Sequence, residues 1–328
     1  MSILITGGAG YIGSHTVQYF AEKNEDVVVV DNLQNGHKDS VQIDHFYNID
    51  IRDKDALREV FKNHDIEGVI HFAANSLVGE SMTNPYKYYD NNVYGMMCLL
   101  DVMKENKVEK IVFSSTAAVY GEPKQIPIME TDETNPTNPY GETKLAMEKM
   151  MRWFEQGYHT KYVSLRYFNA AGASERGTIG EDHDPETHLI PLILQVALGV
   201  REHISIFGGD YPTNDGTCVR DYIHVMDLAA AHYLALEYLR KGNKSEIFNL
   251  GNGNGYSVKE VIDAARRVTN HSIPAELKDR RSGDPAVLIA SSEKAKEILG
   301  WNPQYNSLDK MIKDAWHWHK GHPSGYTK

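Results

Sequence analysis

Short runs of apolar residues recur along the first half of the chain, and each run ends in glycine or polar positions. Residues 3–6, 27–30, 46–49, 68–72 and 110–114 form such runs, each of the length expected for a buried strand. Between them lie stretches with helical spacing of apolar residues. This alternation predicts an α/β fold with a doubly wound parallel sheet. Because the carboxyl ends of parallel strands line one crevice, the residues that follow each run are candidates for a ligand site.

The first run leads into a glycine-rich turn, Gly7-Gly8-Ala9-Gly10-Tyr11-Ile12-Gly13, and then into an amphipathic helix over residues 14–23. Bare backbone at such a turn can approach a pyrophosphate at the helix N-terminus. Asp31 ends the second run, 18 residues beyond Gly13, close to the spacing of an acid that binds the adenosine ribose. The sequence therefore predicts a Rossmann-type domain that binds NAD rather than NADP. The alternative is a glycine turn that only closes a strand–helix unit, with a surface aspartate.

Two further strand ends extend this crevice. Asp50 and Ile51 follow the third run, and we expect them to edge the adenine. Phe72, Ala73 and Ala74 follow the fourth run, where we expect them to flank the phosphates and the nicotinamide side. Simple loop packing is the alternative for each.

Tyr140 and Lys144 are spaced one helical turn apart, which puts a phenol and an ammonium on one face of a predicted helix. A nearby ammonium favours the phenolate, so we expect Lys144 to lower the pKa of Tyr140 and make it a base. The fifth run ends at Ser114, and Thr116 just beyond it is our candidate for relaying a substrate proton. The same spacing also occurs by chance on surface helices.

Two predicted helices, over residues 88–107 and from residue 140 to 154, carry apolar residues on most of their circumference. A helix of this kind is covered on both sides. We expect a homodimer closed by these helices, with a thick intramolecular core as the alternative.

Composition excludes several classes of protein. The 328 residues are 41% hydrophobic and carry a net charge of -11 without a basic block, which argues against nucleic acid and anionic membranes as partners. No apolar run reaches the length of a membrane span. Cys98 and Cys218 lack metal-ligand spacing, so a cytoplasmic, reducing location is expected. His317 and His319 suggest an exposed helix end without nearby acid ligands, and no metal is predicted.

The amino-acid composition of the chain changes after Asn169. Glycines and an acidic stretch at residues 181–186 indicate a long loop into a smaller lobe. We expect residues 1–172, with returning segments at about 222–252, to form the NAD-binding domain. Residues 173–221 and 253–328 would form a mixed α/β substrate lobe.

Taken together, the glycine turn, Ser114-Ser115-Thr116 and Tyr140-x-x-x-Lys144 resemble the extended short-chain dehydrogenase/reductases. Further motifs resemble the branch of that family that epimerises UDP-hexoses at C4: Asp31-Asn32-Leu33, Tyr89-Asp90-Asn91-Asn92-Val93, Arg166-Tyr167-Phe168-Asn169 and Arg220-Asp221-Tyr222-Ile223-His224-Val225. The resemblance implies tightly held NAD and a hydride mechanism without net redox. Tyr140 would remove the O4 proton through Thr116, and a rotated 4-keto sugar would take the hydride back on its other face. Lys144 would also bond the nicotinamide ribose.

The resemblance also implies two sets of contact residues. Those implied for the cofactor are Gly7, Gly10, Tyr11, Ile12, Gly13, Asp31, Asn32, Asp50, Ile51, Phe72, Ala73, Ala74, Ser76, Asn91, Ser114, Tyr140, Lys144 and Phe168. Those implied for the UDP-sugar are Thr116, Asn169, Leu189, Phe207 near the uracil, Arg220 and Arg281 on the diphosphate, Asp284 on the ribose, and Val287. As isolated residues the two arginines would more often be solvated surface charges.

Two positions depart from the common pattern of this family. Ser76 stands where many members have a lysine near the phosphates, and Val287 stands where some have a tyrosine that crowds the sugar. The smaller side chain predicts activity on UDP-N-acetylglucosamine as well. A rival function is a sugar-nucleotide 4,6-dehydratase, but such relatives carry Asp-Glu after the threonine, where this chain has Ala117 and Ala118. A non-catalytic NAD-sensing regulator is the second rival, and such proteins typically lack the tyrosine or the lysine.

Overall fold

A sheet of seven parallel strands organises most of the chain in this computed structural model, which describes residues 1–281 and 284–326. The strands of this sheet and of the smaller sheets, in chain order, are β1 (Ser2–Thr6), β2 (Val27–Asp31), β3 (His45–Asn48), β4 (Ile66–His71), β5 (Lys110–Ser114), β6 (Lys161–Tyr167), β7 (Asn169–Ala171), β8 (Ile204–Phe207), β9 (Val219–Arg220), β10 (Tyr222–His224), β11 (Glu246–Leu250), β12 (Tyr256–Ser257), β13 (Ala275–Lys278) and β14 (Val287–Leu288). The order in the large sheet is β11-β6-β5-β4-β1-β2-β3. The predicted doubly wound sheet is confirmed.

Helices cover both faces of this sheet, and further helices belong to the rest of the molecule. They are α1 (Tyr11–Glu22), α2 (Lys54–Asn63), α3 (Val78–Thr83), α4 (Pro85–Tyr88), α5 (Gly95–Glu105), α6 (Pro139–Tyr158), α7 (Leu189–Ala197), α8 (Val225–Arg240), α9 (Val258–Thr269) and α10 (Leu308–Gly321). Along β1, Ile3 and Ile5 pack into the layer of α1 and α8, while Leu4 packs into the layer of α2, α5 and α6. Successive residues of a strand face opposite sides, so a continuously apolar strand is what two covered faces require.

One predicted helix is interrupted. Instead of a single helix over residues 88–107, α4 is followed by a π-helical segment, Tyr89–Tyr94, and only then by α5. The wider turn places two consecutive asparagines inside, and Asn92 is fully buried. Its side chain accepts the Asn75 backbone N–H at 2.8 Å and donates to the Thr143 hydroxyl at 3.1 Å. Extra residues in a turn of this kind often mark functional positions.

Smaller sheets build the rest of the molecule: β10-β7, β12-β9-β14 and β13-β8. Helices α7, α9 and α10 enclose their own apolar core. The chain crosses back to the large sheet, because β11 pairs with β6 and α8 packs on α1. Within residues 1–281 and 284–326, the structure has no helix of the length and apolar character needed to cross a membrane.

Candidate active site

The glycine turn between β1 and α1 is held by close backbone contacts. Gly7 has a φ of +73°, and a Cβ there would lie 2.5 Å from the Ala73 nitrogen. A Cβ at Gly13 would lie 2.1 Å from the Gly7 carbonyl oxygen. At Gly10, by contrast, a Cβ would meet only that oxygen, at an ordinary 3.5 Å. The protein's own packing therefore does not require glycine at position 10, and the bare backbone there fits the approach of a pyrophosphate.

Asp31 lies beside this turn at the carboxyl end of β2. Its carboxylate accepts the backbone N–H groups of Ala9 at 2.9 Å and Leu33 at 2.8 Å. Burial raises the pKa of Asp31, and these two bonds oppose the rise. A carboxylate fixed in this way suits ribose hydroxyls, so turn and acid together fit a dinucleotide.

The neighbouring strand end carries a polar cluster. Asn32 donates to the Asp50 carboxylate at 3.1 Å, and Arg52 donates to it through Nε at 2.8 Å while also bonding Asp90. The Arg52 bonds hold the pKa of Asp50 well below its usual range. Ile51 is buried beside these groups. The residues predicted to edge the adenine are thus held in place by hydrogen bonds to one another and to Arg52 and Asp90.

The end of β4 leads into the next predicted contacts. The backbone N–H groups of Phe72 and Ala73 donate to the Thr6 carbonyl oxygen at 2.8 and 3.1 Å, which ties this strand end to β1. Ser76 is exposed, whereas Asn91 is buried and donates to the Asn92 side chain at 3.0 Å.

Tyr140 and Lys144 lie in the first turns of α6. This helix starts at Asn138, whose side chain accepts the Gly141 N–H at 2.9 Å, a strong N-cap. The ammonium of Lys144 donates to the Ser114 carbonyl oxygen at 2.8 Å and lies 5.9 Å from the centre of the Tyr140 ring. The helix therefore brings its phenol and ammonium to the end of β5.

The protonation of this pair differs from the prediction. Burial raises the pKa of Tyr140 to about 12, and a hydrogen bond with the Thr116 side chain offsets only part of the rise. Burial also lowers the pKa of Lys144 to about 7, against the attraction of Glu148. The ammonium of Lys144 bonds the Ser114 carbonyl oxygen rather than the phenol, and burial is the largest cause of both shifts. The side chains of Thr116 and Tyr140, however, are hydrogen-bonded to each other.

Sequence analysis missed a buried ion pair beneath Lys144. The side chains of Arg166 and Glu148 are only 4% and 5% exposed, and the guanidinium donates to the carboxylate at 3.0 Å through Nε and 2.5 Å through Nη2. The Ser115 hydroxyl donates to the same carboxylate at 2.5 Å. Glu148 follows Lys144 by four residues, so the spacing places both on one helical face, which was a usable sign.

A second network surrounds Ser114. Its hydroxyl is 2.5 Å from the Tyr167 hydroxyl. Nearby, His71 is fully buried and its Nδ1 lies 2.7 Å from the Thr6 hydroxyl. Burial, with a smaller effect of the Lys144 charge, lowers the pKa of His71 to about 3, so this imidazole is neutral. The lysine thus has only neutral partners on this side.

Several residues predicted to bind the sugar nucleotide are paired with each other. The guanidinium of Arg281 stacks on the Phe207 ring, 4.1 Å from its centre. Arg220 bonds Asp284 and donates to the Val219 carbonyl oxygen at 2.7 Å. The first pair offers a flat surface with a positive edge, and the second presents a guanidinium already oriented by a carboxylate.

The remaining predicted contacts lie at the beginnings of short elements. Asn169 opens β7 and donates to the Asp221 carbonyl oxygen at 3.1 Å. Leu189 is the first residue of α7. Phe168 packs against a small apolar cluster next to Thr116 that comprises Ala117, Val119, Tyr120, Ile128 and Leu145.

The structure favours Leu288 over Val287 as the residue next to the reacting end of the site. Both lie in β14, but it is Leu288 that packs with Phe168 against the cluster beyond Thr116. Neighbours in a strand point to opposite faces. The assignment of the sugar pocket to Val287 therefore stays a prediction, with Leu288 as the alternative position in the same strand.

The histidine prediction fails in part. His317 is exposed, but His319 is half-buried on α10, where burial lowers its pKa and the carboxylates of Glu181, Glu186 and Asp182 oppose that shift. Acids are therefore close, contrary to expectation. Residues 181–188 also bring together a cluster that was missed: Glu181, His183, Glu186 and His188. Its sign in the sequence is the alternating Glu-x-His-x-x-Glu-x-His spacing.

Comparisons with known proteins agree with this geometry. The chain is 64% identical over 327 residues to a UDP-glucose 4-epimerase of Halalkalibacterium halodurans, covering 100% of this chain and 98% of that one. A crystal structure of a UDP-glucose 4-epimerase has a TM-score of 0.99 at 61% identity, with full coverage of both chains. That of the Bifidobacterium longum enzyme in complex with NAD+ and UDP has a TM-score of 0.94 at 41% identity, covering 99% of this chain and 100% of the other.

The family model described as the NAD dependent epimerase/dehydratase family matches residues 3–251, which include the glycine turn, Thr116, Tyr140 and Lys144. The resemblance inferred from the motifs is confirmed. The chain belongs to the NAD dependent epimerase/dehydratase family.

Proposed function

We propose that this chain interconverts UDP-galactose and UDP-glucose by inverting the sugar at C4 with NAD as cofactor. The observation that carries the proposal is the meeting of Tyr140, Thr116 and Lys144 at the strand ends beside a turn that fits a dinucleotide. Whole-length similarity to UDP-glucose 4-epimerases supports it.

In this proposal the proton moves through Tyr140. Its phenolate takes the O4 proton of the sugar, directly or through the Thr116 hydroxyl, and returns it after inversion. When bound, NAD supplies the acceptor for the hydride that leaves C4 and later the donor that returns it. The glycine turn would hold its pyrophosphate, Asp31 its adenosine ribose and Lys144 its nicotinamide ribose.

Inversion requires that the 4-keto sugar turns over while the nucleotide stays bound. Binding energy should therefore come from the nucleotide end, with a weak grip on the hexose. Arg220, Arg281 and Phe207 suit this task because guanidinium groups match phosphate oxygens and an aromatic ring stacks on a base. Around the sugar, Leu288 and Phe168 contribute apolar surface without fixed hydrogen bonds.

The test is a direct assay. Purified protein is given UDP-galactose, first without and then with added NAD, and UDP-glucose is measured. Conversion without added NAD is expected if NAD stays bound through purification. Absence of conversion in both arms, with protein that is folded and contains NAD, would refute the proposal. The assay also separates a 4,6-dehydratase, which would release a 4-keto-6-deoxy sugar; Ala117 and Ala118 offer no group for that elimination.

We further propose that UDP-N-acetylglucosamine is a second substrate, because neither β14 residue is an aromatic that would fill the space near C2. A matched pair of variants locates the limiting position. Leu288→Tyr is expected to abolish turnover of the acetylated sugar while UDP-galactose is still converted, and Val287→Tyr is expected to affect neither. The opposite outcome would restore Val287 as the pocket residue. No turnover of the acetylated sugar by the unaltered protein would end the proposal.

The chain is also proposed to form a homodimer through α5 and α6. These helices pack on each other, and their outer side carries exposed apolar residues, including Met97 at 46%, Trp153 at 67% and Tyr158 at 50% exposure. Large exposed apolar patches mark interaction sites. Light scattering should give twice the chain mass, and Trp153→Glu should give the monomer. Val200→Glu, at an exposed apolar residue outside this face, is the control.

A cytoplasmic location completes the proposal. Cys98 and Cys218 are buried and unpaired, which suits a reducing compartment.

A further inference from the structure

The segment that leads into α7 gathers four side chains with metal-binding chemistry. Glu181, His183, Glu186 and His188 each offer one ligand atom, and these atoms all lie within 4.8 Å of one another. The side chains of both glutamates are only 6% exposed. This quartet plays no part in the chemistry proposed for Tyr140.

The four histidine-to-glutamate distances within the quartet are close to the ligand spacing of a tetrahedral centre. His183 Nδ1 lies 3.3 Å from Glu181 and 3.6 Å from Glu186, and His188 Nδ1 lies 2.8 Å and 3.2 Å from the same two carboxylates. Zinc bound tetrahedrally at about 2.1 Å from nitrogen and oxygen ligands sets those ligands about 3.4 Å apart. Small side-chain shifts would bring all four atoms to one ion.

Ion pairing alone leaves part of this arrangement unexplained. His183 Nδ1 is buried and makes no hydrogen bond, although it faces both carboxylates. Among residues 1–281 and 284–326, neither Glu181 nor Glu186 forms an ion pair with a lysine or arginine. Burial alone would lower the pKa of both imidazoles, but the two carboxylates raise it to about 9 for His183 and about 10 for His188. Two protonated imidazoles thus balance the two buried carboxylates, and a divalent cation would take the place of their protons and leave the imidazoles neutral.

We propose that Glu181, His183, Glu186 and His188 bind one divalent transition metal ion, and that zinc fits this donor set best. Two imidazole nitrogens and two carboxylate oxygens are common zinc ligands, whereas magnesium and calcium prefer oxygen alone. With four protein ligands the site is closed, which is typical of a structural rather than a catalytic ion.

The position of the quartet indicates what the ion would do. His188 directly precedes α7, and the His183 ring packs edge-on against Tyr11, 6.4 Å between ring centres. Tyr11 opens α1 next to the glycine turn, and its hydroxyl donates to the Gly172 carbonyl oxygen at 2.7 Å. A metal here would clamp the start of α7, including Leu189, to the dinucleotide-binding end of α1.

The experiment measures metal binding directly and does not depend on activity. The purified NAD-containing protein is stripped with a chelator and titrated with zinc alone, and bound zinc is counted by mass spectrometry after gel filtration. Cobalt replaces zinc in a parallel sample, because a tetrahedral cobalt site gives intense visible absorption. We expect one zinc per chain, a tetrahedral cobalt spectrum and a raised melting temperature. A wild-type chain that retains no zinc would overturn the proposal and leave a cluster of ion pairs.

Variants locate the ion. His183→Asn combined with His188→Asn should weaken zinc binding at least a hundredfold and abolish the rise in melting temperature. His203→Asn is the matched control, since His203 also pairs with a glutamate, Glu276, at 3.3 Å; it should bind zinc as the wild type does. If the double variant does not fold, Glu186→Gln tests the same ligand set. Unchanged zinc binding in whichever of these variants folds would place the ion elsewhere and refute the site.

Discussion

Two groups of charged residues in this protein are organised in opposite ways. Beneath α6, Glu148 and Arg166 are almost fully buried and satisfy each other through two hydrogen bonds. Just beyond β13, Arg281 is exposed, stacks on Phe207, and forms no ion pair with any residue that the structure describes. The charges of Glu148 and Arg166 are satisfied within the protein, whereas the charge of Arg281 is available to bind a ligand.

This difference indicates that the buried pair stabilises the fold, whereas the exposed arginine serves to bind substrate. A buried pair loses several kcal/mol when one partner is removed, since the other charge remains in a medium that cannot solvate it. An exposed guanidinium costs little to replace until a phosphate is present. Changes beneath α6 should therefore alter folding and the protonation of Lys144, and changes at Arg281 should alter substrate affinity.

Removing the Tyr140 hydroxyl should have the largest effect. Tyr140→Phe deletes the proposed base, so kcat for UDP-galactose should fall by about a thousandfold or more, while the variant still folds and holds NAD. Tyr158→Phe, at the exposed far end of the same helix, should retain full activity. If kcat of Tyr140→Phe were within tenfold of the wild-type value, another group would have to move the proton.

Breaking the buried pair comes next. Glu148→Gln leaves the Arg166 charge unpaired and should lower the free energy of unfolding by about 3 to 5 kcal/mol, measured by urea denaturation. Glu142→Gln, at an exposed position in the first turn of α6, should cost less than about 1 kcal/mol. Equal losses in the two variants would remove the contrast between buried and exposed charge.

The glycine turn offers the same contrast at one site. Gly13→Ala forces a Cβ to within 2.1 Å of the Gly7 carbonyl oxygen and should destabilise the chain by about 2 kcal/mol or more. Gly10→Ala should change the stability of NAD-free protein by less than about 1 kcal/mol, yet weaken NAD binding. Thermal unfolding without NAD and calorimetric titration with NAD distinguish the two. A Gly10→Ala chain that binds NAD normally would contradict the assignment of that position to the pyrophosphate.

Lys144 should give the wild type a distinctive dependence on pH. Its pKa of about 7 lies below the usual value near 10.5 for the unfolded chain, so the unfolded state binds more protons between these values. Stability relative to Lys144→Met should therefore fall as the pH is lowered from about 10 to 7 and stay level below that.

The control for this dependence is Lys149→Met, at an exposed position of the same helix, which should show no such trend. Urea denaturation of all three proteins at several pH values provides the measurement. If the free energy of unfolding changed equally with pH in the wild type and in Lys144→Met, the Lys144 amine would keep its ordinary pKa.

Arg281→Ala should have the smallest effect. We expect the KM for UDP-galactose to rise about tenfold with kcat and stability nearly unchanged, because the lost contact binds ground state and transition state alike. Steady-state kinetics with urea denaturation test both halves of this statement. A drop in kcat of similar size would assign Arg281 to the chemical step.

The sequence predicted the large sheet well because the strands near its centre are covered on both faces. β1 and β2 are entirely buried, and β5 has the predicted bounds. Tyr140 and Lys144 could be paired because their spacing is local. Their pKa values could not be predicted, since the Ser114 carbonyl that binds Lys144 comes from another element. The choice of Leu288 over Val287 likewise depends on contacts distant in the chain.

The π-helical segment before α5 also has a consequence for how this chain tolerates change in length. Each residue of a regular helix turns the chain by about 100°, whereas each residue of a π-helical turn turns it by less, so Tyr89–Tyr94 holds about one residue more than a regular helix of the same rotation. Removing that residue would restore a regular helix with Met97 still at the surface, but it would remove the wide turn that places Asn91 and Asn92 inside. Homologous chains should therefore vary here by substitution, whereas insertions and deletions should be confined to the loops.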